Sequence, residues 1–307
     1  MKYVSIDGLT PEQIAELQAS IENFKKQNEG TDFYKSEFLN KCTDGSWILN
    51  EKTGLVDIKG NFNCESKKFS KEKLKDFKGV KFGVVEGDFN CDNNSLTSLE
   101  GAPQVVKGDF NCSYNKLTSL EGAPQEVEGD FYCFNNSLTS LKGAPQVVKE
   151  YFYCDDNKLT SLEGAPKVVG KSFYCSRNKL TSLEGAPQVV EEYFDCSRNK
   201  LTSLEGSPQV VKGNFYCSDN KLTSLEGAPK EVEGDFHCDD NPISEETLSL
   251  VFKTMQEKKL DYWITLSILK SEISTHDFKK REGELEKRIS KDAQKGISML
   301  NRFKAFE

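Results

Sequence analysis

The sequence predicts an α+β repeat solenoid: a curved array with a parallel β-sheet on its concave face and helical caps at both ends. Two observations predict the array. Cysteines recur at a constant interval of 21 residues from Cys91 to Cys238, and seven copies of an L-T-S-L-(E/K)-G-(A/S)-P segment recur with them. A third observation, helical patterning before and after the repeats, predicts the caps. A unit this short cannot bury its apolar side chains alone, so the copies must stack on one another.

The residues shared by all copies explain why each copy, or rung, folds. Phe110 and Cys112 are two apart on a short strand and therefore point to the same side, into the core. Leu117 and Leu120 supply the next inward contacts, and cysteine serves as a small apolar residue. Asn115 recurs in every rung at the bend after the strand, where its amide is expected to bond unpaired backbone groups and stacked copies of itself.

The motif F-x-C-x-x-N-x-L-T-S-L resembles the leucine-rich-repeat pattern L-x-L-x-x-N-x-L, with Phe and Cys in the two strand positions. The short period and the closing G-A-P look like the repeats of bacterial leucine-rich-repeat effectors. The fuller wording F-x-C-x-x-N-K-L-T-S-L-E-G-A-P also resembles repeat proteins of tailed phages and their hosts. The resemblance covers about residues 55–243 and implies a parallel sheet on a concave face.

Four regions are predicted along the chain. Residues 1–46 form an N-terminal helical cap with one helix starting at Thr10 and a second, short helix around Phe38. Residues 47–86 form a hairpin and an irregular first rung. Residues 87–243 hold the 21-residue repeats, and residues 244–307 form a C-terminal helical cap. An alternative for the last region is that its basic, amphipathic helices recruit a partner.

Charge and composition narrow the classes of function. The net charge is −8, and the segment from Glu86 to Cys238 alone carries 23 acidic and 14 basic residues, a net charge of −9. Nucleic-acid binding is therefore disfavoured, because it depends on clustered cations. No membrane segment and no secretory signal are expected. The expected location is the cytoplasm, or the host cytoplasm if the chain is phage-encoded, with reduced thiols of which Cys42 is the one expected to be exposed.

Catalytic chemistry has little support in the sequence. The chain has two histidines, and His237 should point outward where Cys238 points inward, which excludes a shared metal or a Cys-His nucleophile. Acidic rung residues are interpreted as a solvated face and not as calcium ligands. The bacterial effectors that the repeats resemble often add a ubiquitin-ligase domain with a catalytic cysteine, but no cysteine follows Pro242. We expect a non-enzymatic protein with no cofactor, no metal and no catalytic residues.

The positions that vary between rungs predict the binding surface. Tyrosines and two arginines concentrate on the middle rungs, and these residue types are enriched at interaction hot spots. The alternative is that aromatic residues simply suit exposed strands. The candidate partner-binding residues are Tyr114, Tyr132, Phe134, Tyr151, Tyr153, Tyr174, Arg177, Tyr193, Arg198 and Tyr216.

The sequence thus predicts a protein-binding solenoid that engages one macromolecular partner through this concave band. If the chain is phage-encoded, as the resemblance implies, the partner is expected to be a host protein that the chain modulates or inhibits. The alternative is a structural virion or assembly component. The identity of the partner and the oligomeric state do not follow from the sequence.

Overall fold

The computed structural model describes residues 32–66 and 73–243, together with Thr10 and Ile14. The first described element is helix α1 (Asp32–Cys42), which is followed by an antiparallel hairpin of β1 (Thr43–Asn50) and β2 (Leu55–Asn63). The hairpin thus begins four residues before the predicted Trp47. Strand β3 (Phe82–Val85) then leads into the repeats.

Each rung contributes two short parallel strands, and the strands of successive rungs form two columns. The Phe column begins with a phenylalanine in every rung: β4 (Phe89–Asn90), β6 (Phe110–Asn111), β8 (Phe131–Tyr132), β10 (Phe152–Tyr153), β12 (Phe173–Tyr174), β14 (Phe194–Asp195), β16 (Phe215–Tyr216) and β18 (Phe236–His237). Three residues separate each Val-column strand from the Phe-column strand that follows it, and the Val column consists of β5 (Val105–Val106), β7 (Glu126–Val127), β9 (Val147–Val148), β11 (Val168–Val169), β13 (Val189–Val190), β15 (Val210–Val211) and β17 (Glu231–Val232).

Strand β2 starts both columns. Its first half pairs with β3, where Val56 faces Phe82, and its second half pairs with β4, where Phe62 faces Phe89. From there each strand of the Phe column pairs in register with the strand of the next rung, as Phe110 does with Phe131. The Val column pairs in the same way but is interrupted between β11 and β13, so that β13, β15 and β17 form a separate three-stranded sheet. The fold is therefore a parallel β-solenoid with a 21-residue repeat, which confirms the predicted stacking.

The core is a set of side-chain stacks that run the length of the array. Phenylalanine rings of successive rungs stack with centroids 5.0–5.6 Å apart, and they are fully buried or nearly so. The repeated Cys, Leu and second Val positions are buried beside them. Burying one side chain of this size contributes roughly 1.5–3 kcal/mol, so stacking stabilises a unit that could not fold alone.

The repeated asparagine bonds the backbone of two rungs. The side-chain amide of Asn115 donates to the carbonyl oxygens of Cys91 at 3.0 Å, Cys112 at 3.1 Å and Ser113 at 3.1 Å, and its oxygen accepts the amide of Leu96 at 2.9 Å. The expectation that stacked asparagines bond one another was wrong for the described rungs. Backbone groups use the full donor and acceptor capacity of the amide, so its neighbours hold it through the main chain.

The helical content differs from the prediction. The described residues hold one bounded helix, α1, at the place predicted for the second N-terminal helix; Ile14 is also helical, and its amide donates to the carbonyl of Thr10 at 2.9 Å. The α+β class and the caps at both ends find no further support in the described part of the chain. Most of the predicted N-terminal cap and all of the cap predicted for residues 244–307 lie outside it. None of the helices in this part is long and apolar enough to cross a membrane.

Candidate binding face

The outward residue of each Phe-column strand builds a stack of phenol rings on the surface. Strand alternation turns Phe131, Phe152 and Phe173 inward, and so directs the residues after them outward. The rings of Tyr132 and Tyr153 stack at 4.9 Å and 9°, and those of Tyr153 and Tyr174 at 4.7 Å and 1°. The prediction that these tyrosines share one face is consistent with this geometry.

The tyrosine stack is interrupted once and then resumes. In register with Tyr174, the next rung presents Asp195, and the rung after that presents Tyr216. Beyond this point the ring of Tyr216 stacks on His237 at 4.7 Å and 4°. Asp195 therefore divides the column into a stack of three rings and a stack of two.

A second column of outward residues lies two positions earlier in each rung and normally bonds the next rung. The side-chain oxygen of Asp109 accepts the amide of Asp130 at 2.9 Å, and that of Asp130 accepts the amide of Tyr151 at 3.0 Å. Asn61, Asp88, Ser172 and Asn214 act in the same way. This backbone role explains the repeated acidic residues without a bound cation.

Tyr151 and Tyr193 replace the acceptor in this column. In other rungs the residue at this position accepts the amide of the rung that follows. In the described rungs no side-chain oxygen accepts the amides of Ser172 and Asn214, which follow Tyr151 and Tyr193. A net hydrogen bond is worth about 1 kcal/mol, so each tyrosine gives up stability that the other rungs keep. Tyr151 lies 5.9 Å from Tyr153, and Tyr193 lies 6.4 Å from Tyr216, measured between ring centroids. Both therefore extend the aromatic surface sideways.

The first residue of the rung changes in the same place. Most rungs begin with glycine, and a Cβ on Gly108 would lie 2.2 Å from the Asp88 oxygen that bonds the next amide. The three middle rungs begin instead with Glu150, Lys171 and Glu192. Lys171 forms an ion pair with Glu150, and its ammonium lies 5.0 Å from the ring centroid of Tyr151. These three residues are absent from the binding surface predicted from the sequence, although the loss of glycine at their positions was a visible signal.

Three further candidates lie at the turn that follows the strand. Tyr114, Arg177 and Arg198 have positive φ of 52°, 52° and 55°, a conformation that Asn, Asp and Gly adopt more readily. Five other rungs do carry Asn or Asp there. Arg177 contacts Asp156 at 3.4 Å, and Arg198 contacts Asp219 at 3.3 Å. Both guanidinium groups are thus held along the edge of the face by carboxylates of neighbouring rungs.

The candidates form two aromatic groups with the arginines beside them. Tyr114 lies 5.2 Å from Phe134, and Phe134 lies 6.3 Å from Tyr132, which links these residues to the stack of three. Tyr151 also belongs to this first group. Tyr193, Tyr216 and His237 form the second group, and no aromatic contact crosses Asp195 between Tyr174 and Tyr216 in the described structure. Tyr114 and Tyr193 are the most exposed tyrosines, at 50% and 40%.

The face is acidic, and burial beside carboxylates shifts its titrating groups. Partial burial raises the pKa of Tyr153 to about 12, with smaller effects from Tyr174 and Asp130. The hydroxyl of Tyr132 donates to Asp130 at 2.5 Å, and burial together with this bond raises its pKa further. Burial also raises the pKa of Asp155 to about 6, against the bonds that it accepts from Ser176. The phenols of Tyr132 and Tyr153 are therefore neutral hydrogen-bonding groups at neutral pH.

The cysteines are structural. All ten are buried and form no disulfide, and the thiol of Cys133 donates to the carbonyl of Tyr153 at 3.2 Å, a bond repeated in several rungs. The prediction that Cys42 is exposed was wrong: it is 1% exposed, because α1 packs it against the start of the array. No group of three His, Cys, Asp or Glu residues within residues 32–66 and 73–243 is placed to hold a metal ion.

Comparisons with known proteins find similarity to solved structures. No protein-family model matches the sequence, and no curated protein is similar to it. Among solved structures, YopM from Yersinia enterocolitica WA-314 is similar to this chain with a TM-score of 0.42 and 21% identity. The match covers 54% of this chain and 41% of that chain, so the chain spans less than half the length of that protein.

Proposed function

We propose that the chain is a non-enzymatic solenoid that binds a protein partner through the tyrosine-rich outer surface of its Phe column. One observation carries this proposal. Five candidates occupy positions where a different residue type would serve the rung better: Tyr151 and Tyr193 replace backbone acceptors, and Tyr114, Arg177 and Arg198 replace the Asn or Asp of a left-handed turn. Local rules broken together on one surface are expected where function outweighs stability.

The chemistry of the surface supports a protein as the ligand. Stacked phenols offer rigid apolar area with hydroxyl groups at the rim, and interfaces are enriched in such residues. The acidic surroundings work against a nucleic acid, whose phosphates would be repelled. The location of this surface on the concave side of a curved array remains a prediction. We also propose that the partner is cytoplasmic. If the chain is phage-encoded, we propose that the partner is a host protein.

A pull-down with matched variants tests the proposal. The triple variant Tyr153→Ala, Tyr174→Ala and Tyr216→Ala should lose any partner that the unaltered chain captures from lysate. The control is Val168→Ala, Val189→Ala and Val210→Ala, which removes outward side chains of the Val column, two of them 53% and 43% exposed. The control should keep the partner. Capture by the tyrosine variant and loss in the valine variant would move the site to the Val column and overturn the proposal.

The alternative of a virion or assembly component makes a different prediction. It expects the chain to be present in purified particles in a fixed ratio to the known structural proteins. No contact described above favours that role over protein binding. A chain absent from particles, yet able to retain a partner through Tyr153, Tyr174 and Tyr216, would decide for the proposed function.

A further inference from the structure

The break in the tyrosine column at Asp195 has the shape of a binding site. Tyr174, Asp195 and Tyr216 are in-register neighbours on β12, β14 and β16, so their side chains leave the same face of the sheet. Elsewhere in the column adjacent rings stack at 4.7–4.9 Å and fill the space between rungs. An aspartate is much shorter than a tyrosine, so we expect the outer part of its rung to be open between the two phenol rings.

The width of this gap, which we call the Asp195 notch, is set by the strand spacing. Two spacings of about 4.8 Å separate the rings of Tyr174 and Tyr216 by about 9.6 Å. A flat group midway between them would lie about 4.8 Å from each ring centroid, within the roughly 6 Å over which a cation is attracted to an aromatic face. Tyr193 adds a third ring, because its centroid lies 6.4 Å from that of Tyr216 at 68°.

The base of the notch carries the matching charge. Asp195 is partly buried, and one of its carboxylate oxygens accepts the amide of Ser197 at 2.9 Å and the hydroxyl of the same residue. The backbone bond fixes the carboxylate at the bottom of the gap. The two arginines of the described residues do not occupy this place, since Arg177 contacts Asp156 and Arg198 contacts Asp219 at the turn edge.

We propose that the Asp195 notch binds the guanidinium group of an arginine side chain supplied by the protein partner, an inference that rests on the proposed function and specifies its ligand chemistry. A guanidinium is planar, stacks on aromatic faces and bonds a carboxylate through two parallel N–H groups. It therefore meets the parallel rings and the carboxylate together. A lysine ammonium offers the charge without the flat shape.

The test uses N-acetyl-arginine amide as the probe and full-length chain carrying 3-fluorotyrosine at position 174. The fluorine resonance should shift saturably, with a dissociation constant on the order of 1–10 mM for one isolated side chain. The neutral isostere N-acetyl-citrulline amide should leave the resonance in place, and N-acetyl-lysine amide should bind several-fold more weakly. In a control chain labelled at Tyr114, which lies outside the notch, the arginine probe should shift nothing.

Two variants separate the notch from the rest of the face. Asp195→Tyr supplies the residue that Tyr174 and Tyr216 present in the same column, so it should complete the stack, fill the notch and weaken arginine binding at least about tenfold. Asp195→Asn keeps the opening and removes the charge, and should weaken binding by a smaller factor. Thermal unfolding of each variant shows that the array is intact.

Several outcomes overturn the proposal. They are equal shifts with citrulline amide, equal binding of lysine amide, undiminished arginine binding in Asp195→Tyr, and the absence of any arginine-dependent shift. Failure of the proposed function is distinguishable from these outcomes. A partner retained by Asp195→Tyr but lost by the triple tyrosine variant would leave the protein-binding face in place and remove only the arginine notch.

Discussion

The side-chain oxygen of Asn157 accepts the backbone amide of Leu138 in the preceding rung at 3.0 Å. The amide of the same side chain donates to the carbonyls of Cys133 and Cys154 at 3.0 and 3.1 Å. One buried residue thus satisfies backbone groups on both sides of a rung boundary. Buried main-chain groups cannot turn to water, so this arrangement holds each rung to its neighbour.

Replacing Asn157 should therefore destabilise the array strongly. Asn157→Ala leaves several buried backbone groups without partners, and we expect the free energy of unfolding to fall by about 2–4 kcal/mol. Urea unfolding followed by circular dichroism measures the change. The neighbouring Lys158→Ala, which alters an exposed side chain, should stay within about 0.5 kcal/mol of the parent. A similar small effect for both variants would contradict the role given to the asparagines.

The glycine of each G-A-P segment should resist substitution for a steric reason. Gly122 has a φ of 90°, and a Cβ there would lie 2.7 Å from the carbonyl oxygen of Leu99 in the preceding rung. We expect Gly122→Ala to cost about 2–4 kcal/mol, because the strained φ and the backbone clash act together. Gly54 in the hairpin turn also has a positive φ, 69°, but open space around it. Gly54→Ala should cost about 1 kcal/mol, and equal costs would show that φ alone decides.

Variants of Tyr193 test whether this residue lowers the stability of the array while it contributes to partner binding. The rung after it begins with Gly213, so the space for an acceptor at position 193 is already present. Tyr193→Asn should be more stable than Tyr193→Ala by about 0.5–1.5 kcal/mol, since its oxygen can accept the amide of Asn214. At Tyr151 asparagine should gain a similar amount over alanine, since Asp130 and Ser172 accept the next amide although the following rungs begin with Glu150 and Glu192.

Thermal unfolding of these four variants measures the two differences. The prediction fails if asparagine gains nothing over alanine at position 193 and at position 151. In the pull-down, all four should bind the partner less well than the parent chain. A more stable variant that binds less well would show directly that Tyr193 is present for recognition.

The thiols should be inaccessible in the folded chain. All ten cysteines are buried, and burial raises the pKa of the Cys112 and Cys133 thiols well above the ordinary value, which leaves little thiolate to react. Ellman's reagent should therefore label no cysteine in native buffer and all ten in concentrated urea. One rapidly reacting equivalent in native buffer would restore the exposed thiol expected from the sequence at Cys42, and Cys42→Ser would identify it.

The repeat period made the fold readable from the sequence, because each inward residue is the same in rung after rung. Phe110, Cys112, Leu117 and Leu120 are buried as their spacing predicted. The exposed-thiol prediction at Cys42 failed because it depends on the packing of α1 against the first rungs, a contact between elements that no periodicity encodes. The repeat period also did not predict the two-column arrangement in which β2 starts both columns.

The candidate site was predictable only in part, since the sequence identifies which residues vary but not which of them meet. Tyr132, Tyr153 and Tyr174 stack as one surface because they share a strand position. The ion pairs of Arg177 and Arg198 depend on the left-handed turn that directs both side chains along the array. Asp195 matters because of the tyrosine rings on either side of it. The residue type alone did not indicate that role in the sequence.

Each rung pairs in register only with the two rungs beside it, and this also affects how the protein can evolve. An in-frame duplication or loss of one repeat unit would lengthen or shorten the recognition surface while every remaining rung kept its packing. Recombination between near-identical repeats can thus change the reach of the molecule, and point substitutions at the outward positions can change its chemistry. Length and selectivity are inherited as separate traits.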